Sequence, residues 1–172
     1  DRAPNVVDLI QYPARVYPVG RLDKDSEGLL LMTNQGELAN EIMHAGNFHE
    51  KEYLVTVDQP FNAAFLKKMR EGVELKELGV TTRPCKVEAA GVKTFRIILT
   101  QGLNRQIRRM CAELGYRVVT LKRVRIMNIH LGKLNTGDFR RATPKELEEL
   151  EWQLEQARLE REEAELLAGQ DE

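Results

Sequence analysis

The chain has 172 residues, of which 42% are hydrophobic and 31% charged, which is enough for one compact core and too few to promise two full domains. No apolar run approaches the roughly 20 residues that span a bilayer, and no secretion signal opens the chain, so we expect a soluble cytoplasmic protein with no membrane partner. The two cysteines, Cys85 and Cys111, and the three scattered histidines predict neither a disulfide nor a metal site.

The net charge of −1 conceals an uneven distribution of charge. Residues 142–172 carry 11 acidic and 3 basic side chains, which leaves residues 1–141 with a net charge of +7. Within residues 102–141, ten lysines and arginines are accompanied by only two acidic residues, Glu113 and Asp138. A solvated surface is the commoner explanation of a charge run, but this density favours a nucleic acid, because each phosphate contact releases counterions.

In the first half of the chain, strands and helices are predicted to alternate after a proline-rich loop. The continuous apolar run at residues 29–33 predicts a buried strand. The spacing over residues 37–45 predicts a short helix that Gly46 ends. Residues 53–57 alternate with the two-residue period of a strand, and residues 60–71 place apolar side chains at four-residue intervals, as a helix does.

The second half adds four strands, one short helix and one long helix. The strands are predicted at residues 81–89, 94–100, 117–120 and 123–129, the first two as antiparallel partners. A helix over residues 104–114 is predicted to end at Gly115. Periodicity alone therefore predicts a mixed α and β fold.

The C-terminal helix has the clearest N-terminal signal of the predicted helices. Thr143 is a capping residue, Pro144 suits the first helical position, and Glu146 completes a capping box. We predict a helix from there to about residue 167, whose charged end at residues 158–165 frays into solvent.

The segment from Gly20 to Leu30 reads G-R-L-D-K-D-S-E-G-L-L and crowds charge and glycine immediately before a buried strand. It resembles the G-R-L-D-x-x-[ST]-x-G-L motif of the RNA pseudouridine synthases related to RsuA. Two further segments agree in order and spacing: K-E-Y-L-V at residues 51–55 and G-L-N-R-Q-I-R-R-M at residues 102–110. The amino-acid sequence at residues 49–53 and 101–105 is most similar to that of the RluF branch of the family, which acts on large-subunit ribosomal RNA.

The resemblance implies an α+β fold with a mixed, largely antiparallel sheet flanked by helices, and an RNA isomerase that needs no cofactor and no metal. It implies that Asp23 is the catalytic carboxylate, as nucleophile or as base, and the sequence leaves these two roles open. The family pattern assigns an ion pair with Asp23 to Arg108, and it assigns to Tyr53 a place against a uracil flipped out of its stack.

Six basic residues are predicted to contact RNA. On the helix from residue 104, three arginines lie opposite the apolar face and share one exposed side, where at least two can serve phosphates. With the rest of the basic segment and the first motif, the predicted RNA contacts are Arg21, Arg105, Arg109, Lys122, Arg123 and Arg125. Lys24, Asp25 and Glu27 are predicted to be structural.

Family members usually begin with an RNA-binding domain of the S4 type and a Lys-Pro-containing strand, and this chain begins after both. We expect a catalytic domain over residues 1–141, an acidic helix over 142–172, and RNA affinity that is weakened by the missing region.

Two other interpretations stay open. A non-catalytic RNA-binding module would use the basic residues 102–141 but gives no reason for the Asp23 loop. An interaction protein built on the C-terminal helix would self-associate, although the apolar stripe lacks the three to four heptads of a coiled coil. We therefore expect a monomer.

Overall fold

A computed structural model of the chain describes residues 15–44 and 48–170. The strands are β1 (Tyr17–Pro18), β2 (Glu27–Gly28), β3 (Met32–Thr33), β4 (Lys51–Val57), β5 (Glu74–Leu75), β6 (Val80–Thr81), β7 (Lys86–Ala89), β8 (Thr94–Leu99), β9 (Val118–Ile126) and β10 (Ile129–His130). The helices are α1 (Gly36–Met43), α2 (Ala63–Glu71), α3 (Gln106–Glu113) and α4 (Pro144–Gln170). The α+β class predicted from the sequence is confirmed.

The described residues form two compact units. The first, which we call the sheet unit, comprises residues 22–29 and 50–126. The second, the terminal unit, comprises the described parts of residues 1–21, 30–49 and 127–172. Residues 127–141, which the sequence division assigned to the catalytic domain, group here with the C-terminal helix.

The sheet unit is built on long antiparallel strands in the order β9, β4, β8, β7. Strand β4 pairs with β8 along its whole length and with β9 on its other side, and β7 pairs with β8. The exception is β2, which pairs with β9 in parallel. The largely antiparallel sheet implied by the family resemblance is therefore confirmed.

The core of the sheet unit lies between this sheet and helices α2 and α3. Strand alternation sends Val55 and Val57 inward, and both are buried, as are Phe95 and Ile97 on β8. The helices contribute apolar side chains at positions three and four residues apart: Phe65, Met69, Ile107, Met110 and Cys111. The predicted apolar faces of both helices are thus confirmed, although α2 begins at Ala63, where the Asn62 side chain accepts a hydrogen bond from Phe65 N–H.

Four predicted strands differ from the structure. Residues 29–33 do not form one strand. Backbone hydrogen bonding to β9 ends at Leu29, and Met32 pairs with β1 instead. Residues 117–129 hold one strand of nine residues, β9, followed by the short β10.

The strand predicted at residues 81–89 is interrupted between β6 and β7. There the Thr82 backbone N–H donates to Val73 O and its hydroxyl accepts from Val73 N–H, both at 2.9 Å. Pro84 has no N–H to give to a sheet.

In the terminal unit, β1 pairs antiparallel with β3, and Arg161 of α4 lies 3.8 Å from Glu41 of α1. The predicted capping box is confirmed: Thr143 N–H donates to Glu146 Oε1 at 2.8 Å, and Glu146 N–H donates to Thr143 Oγ1 at 3.1 Å. The helix continues to Gln170 and does not fray at residues 158–165. The predicted stop of α1 at Gly46 lies outside the described residues. None of the described helices is long and apolar enough to cross a bilayer.

Candidate active site

The loop that carries Asp23 is fastened to the sheet by backbone contacts. A turn closes it, with Ser26 N–H donating to Asp23 O at 2.9 Å. Strand β2 then pairs with the middle of β9, Gly28 lying opposite Arg123, and Leu29 N–H donates to Arg123 O at 2.8 Å. Gly28 has φ 115°, and a Cβ there would lie 2.2 Å from Arg123 O. Only glycine permits this close approach of the two backbones.

Arg123 holds the same loop with its side chain. The residue is 4% exposed, and its Nε donates to Leu29 O at 2.8 Å. A guanidinium buried against a loop carbonyl is unavailable to a phosphate in solvent. The predicted RNA contact at Arg123 is therefore wrong, and the residue is part of the scaffold.

Two carboxylates of the loop share the guanidinium of Arg105. Its Nη1 and Nη2 donate to Asp25 Oδ1 and Oδ2 at 3.0 and 2.8 Å, and its Nη1 lies 3.6 Å from Asp23 Oδ2. The bidentate hydrogen bond from Arg105 lowers the pKa of Asp25 to about 2, and the same bond raises the pKa of Arg105. The side chain of Asp23 is 38% exposed, so this carboxylate is accessible from solvent.

Arg108 holds the loop but does not pair with Asp23. Its Nη2 donates to Asp25 O at 2.7 Å and to Ser26 Oγ at 3.3 Å, and its Nη1 lies 3.5 Å from Asp25 Oδ2. The predicted ion pair between Arg108 and Asp23 is wrong in this structure, because Arg105, the residue just before α3, takes that position.

Tyr53 lies two strands away from β2. On β4 it pairs with Ile97 of β8 and, across an irregularity in register, with Arg123 of β9. Gly28 pairs with the same Arg123 from the opposite side, so β2 and β4 flank β9 at one residue. Adjacent strands are about 4.8 Å apart, which puts the backbones of Gly28 and Tyr53 about 10 Å apart on either side of Arg123. Bulges of this kind are common beside active sites.

Some of the remaining residues predicted to contact RNA form ion pairs within the protein, and others have exposed side chains. Arg109 pairs with Glu77 and donates to Asn104, and Arg125 pairs with Glu50 at 3.2 Å and Glu52 at 3.1 Å. The side chains of Arg108, Arg109 and Arg125 are only 15%, 25% and 13% exposed. The prediction that three arginines of the helix share one exposed side is therefore wrong, and of the three only Arg105 is exposed. Lys122 and Arg21 are exposed, and their RNA contacts stay predictions.

Two residues near the site were not singled out by the sequence. Asp25 was predicted only to be structural, and the signal available was its position two residues after Asp23, in a chain with three arginines at residues 105–109. Lys51 precedes Tyr53 by two residues and therefore lies on the same face of β4. Burial, and next the charge of Arg123, lower the pKa of Lys51. In the part of the chain that is described, no three His, Cys, Asp or Glu side chains cluster as metal ligands would.

Comparison with known proteins places this geometry in a family. Residues 4–113 match the family model for RNA pseudouridylate synthase. The chain belongs to that family. The chain is 52% identical over 146 residues to the dual-specificity RNA pseudouridine synthase RluF of Escherichia coli (strain K12), an alignment that covers 85% of the chain and 50% of RluF. The predicted family and its likeness to RluF are confirmed.

Two further relatives agree with this assignment. Ribosomal large subunit pseudouridine synthase B of Bacillus subtilis (strain 168) is 38% identical over 144 residues, which cover 80% of this chain and 58% of that protein. A crystal structure of a pseudouridylate synthase superposes with a TM-score of 0.81 at 32% identity, covering 86% of this chain and 65% of that one. The chain thus spans only about half the length of the two named enzymes.

Proposed function

We propose that the chain isomerises a uridine of ribosomal RNA to pseudouridine, with Asp23 as the essential carboxylate. The observation that carries this proposal is the fastening of the Asp23 loop to β9 at Gly28, with a guanidinium 3.6 Å from the Asp23 carboxylate. A charged, glycine-containing loop held by backbone pairing and three arginines is energetically costly unless it positions a reactive group.

The reaction replaces one glycosidic bond by another. The bond between uracil N1 and ribose C1′ breaks, the base turns, and C5 bonds to C1′. C5 then gives up its proton to solvent and N1 gains one, so the composition of the nucleotide does not change. A carboxylate serves such a reaction as a nucleophile or as a base at the sugar, and Asp23 is the group proposed for either step.

The neighbouring groups have distinct roles in the proposal. Arg105 orients the Asp23 carboxylate, because its guanidinium lies 3.6 Å from Asp23 Oδ2. Arg108 and Asp25 are positioning residues that bind the loop to α3. Tyr53 packs against the flipped uracil, since a base within a stack cannot present its glycosidic bond to a side chain.

Large-subunit ribosomal RNA is the proposed substrate class. One relative is named for pseudouridine synthesis in the ribosomal large subunit, and the 52% identity to RluF supports the RluF branch. The proposed enzyme works as a cytoplasmic monomer without metal or cofactor. A purely RNA-binding module is less well supported, because Arg109, Arg123 and Arg125 are engaged within the protein.

The proposal is tested by nucleoside analysis of large-subunit ribosomal RNA, transcribed without modifications and incubated with the protein. The parent is expected to form pseudouridine, Asp23→Asn to form none, and Asp138→Asn to match the parent, because Asp138 is exposed and lies outside the sheet unit. Pseudouridine formed by Asp23→Asn at the parental rate would remove the carboxylate from the mechanism.

A further inference from the structure

A cleft of about 230 Å³ runs along α3, from Arg105 beside the Asp23 loop to Arg117 and Val118. It is lined by Arg105, Arg108, Ala112, Tyr116, Arg117 and Val118. Arg108 and Ala112 are four residues apart on α3, Arg105 immediately precedes the helix, and Tyr116 and Arg117 close the far end. None of these described lining residues is acidic, whereas the neighbouring cleft of about 330 Å³ contains Glu77 and Glu113.

Arg117 differs from the other arginines of this region because its guanidinium has no charged partner within residues 15–44 and 48–170. Its backbone is fixed, with its N–H donating to Asp58 Oδ1 at 3.0 Å and Asp58 N–H donating to its carbonyl at 2.9 Å. Its side chain is exposed and makes no ion pair or side-chain hydrogen bond with any described residue. A fixed backbone carrying an unneutralised guanidinium suits a phosphate.

Tyr116 supplies an aromatic wall beside this cation. Its ring centroid lies 4.4 Å from that of Phe65, and its N–H donates to Cys111 O at 2.9 Å, so the residue is anchored in the core. The small side chain of Ala112 leaves the floor of the cleft open. A guanidinium next to an aromatic ring is the combination that single-stranded nucleic acid uses for its phosphate and its base.

We propose that this cleft binds one nucleotide of the RNA that flanks the target uridine, with its phosphate on Arg117 and its base or ribose against Tyr116. The inference rests on the proposed function and adds a substrate subsite to it. Ala112 lies seven residues after Arg105, or about 10 Å along the helix, so the cleft extends away from the Asp23 loop. The bound nucleotide is therefore a neighbour of the reacting one.

Binding of a short fluorescein-labelled oligouridylate, followed by anisotropy between about 50 and 200 mM salt, tests the subsite. Arg117→Gln removes the cation, and Ala112→Glu fills the floor with a negative charge. Both are expected to weaken binding about tenfold, and Arg117→Gln lowers the slope of log affinity against log salt by about one.

The matched control is Lys67→Gln, which removes one charge from a side chain that is 74% exposed on α2. It is expected to bind as the parent does. Because all three positions are exposed, each variant should keep the melting temperature of the parent.

Equal affinity and equal salt slope for the parent and both cleft variants would overturn the subsite. Pseudouridine formation by the parent in the same preparations would then leave the proposed function standing. Weaker binding by the two variants, with no pseudouridine formed by the parent, would support the subsite and contradict the proposed function.

Discussion

At the scale of single residues, the decisive feature is the sharing of one guanidinium by two carboxylates. Arg105 donates two hydrogen bonds to Asp25 and lies 3.6 Å from Asp23, so the side chain nearest to the proposed catalytic group is held by a different aspartate. Asp25 is thus a positioning residue that acts through Arg105. Its substitution should release both Arg105 and the loop.

This arrangement makes a prediction about acid titration. The pKa of Asp25 is lowered from 3.8 to about 2, chiefly by the hydrogen bond from Arg105. A depressed carboxyl pKa means that the contact is complete above the ordinary pKa and is lost as the pH falls through about 2. Carboxyl-carbon NMR should therefore show Asp25 titrating near 2 in the parent and nearer to 3.8 in Arg105→Gln.

The control is Arg96→Gln, which removes an arginine that pairs with Glu52 on the sheet. It is expected to leave the Asp25 titration unchanged. A midpoint at the ordinary value in the parent, or no response to Arg105→Gln, would contradict the assigned contact.

At the scale of elements, the parallel pairing of β2 with β9 decides where the catalytic loop lies. The pairing involves only two residues of β2, and it depends on the approach of Gly28 to the backbone of Arg123. A side chain at Gly28 would collide with a carbonyl that lies within a sheet and has no room to move.

We predict that Gly28→Ala lowers the free energy of unfolding by about 3 kcal/mol, from positive-φ strain together with the backbone collision. Gly102→Ala is the control, because a Cβ there has no heavy atom within 4 Å. Urea unfolding of both variants and the parent measures the difference. A Gly28→Ala variant as stable as Gly102→Ala would show that the close approach is absent.

Elements with local signals were predictable from the sequence, and those with non-local pairing were not. The capping box at Thr143 and the apolar face of α3 are local patterns, and both are confirmed. The run at residues 29–33 has the composition of a strand, but its partner changes in the middle, which no local pattern records. The sequence also could not tell which arginine lies beside Asp23. Arg105 and Arg108 are one helical turn apart, and two long side chains at that spacing can reach the same carboxylate.

At the scale of the whole molecule, charge is divided along the chain. Residues 142–172 carry eleven acidic side chains, and α4 exposes Trp152, Leu159 and Leu166 at seven-residue intervals. Those apolar positions are separated by glutamates, so two copies of the helix would bring like charges together at low salt.

We therefore predict that the protein is a monomer in sedimentation velocity, with a mass near 19.7 kDa at every concentration. Removal of residues 152–172 should leave the association state unchanged. A mass that rises with concentration in the full chain, and does not rise after this deletion, would favour the self-associating interpretation instead.

The most direct test of the central claim is tritium release from large-subunit ribosomal RNA carrying tritium at C5 of uridine. Formation of pseudouridine replaces the hydrogen at C5 by the bond to ribose, so release reports the isomerisation itself. We predict release by the parent, none by Asp23→Asn, and strongly reduced release by Asp23→Glu, in which the carboxylate is kept but displaced by one methylene. Release by Asp23→Asn equal to that of the parent would contradict the account.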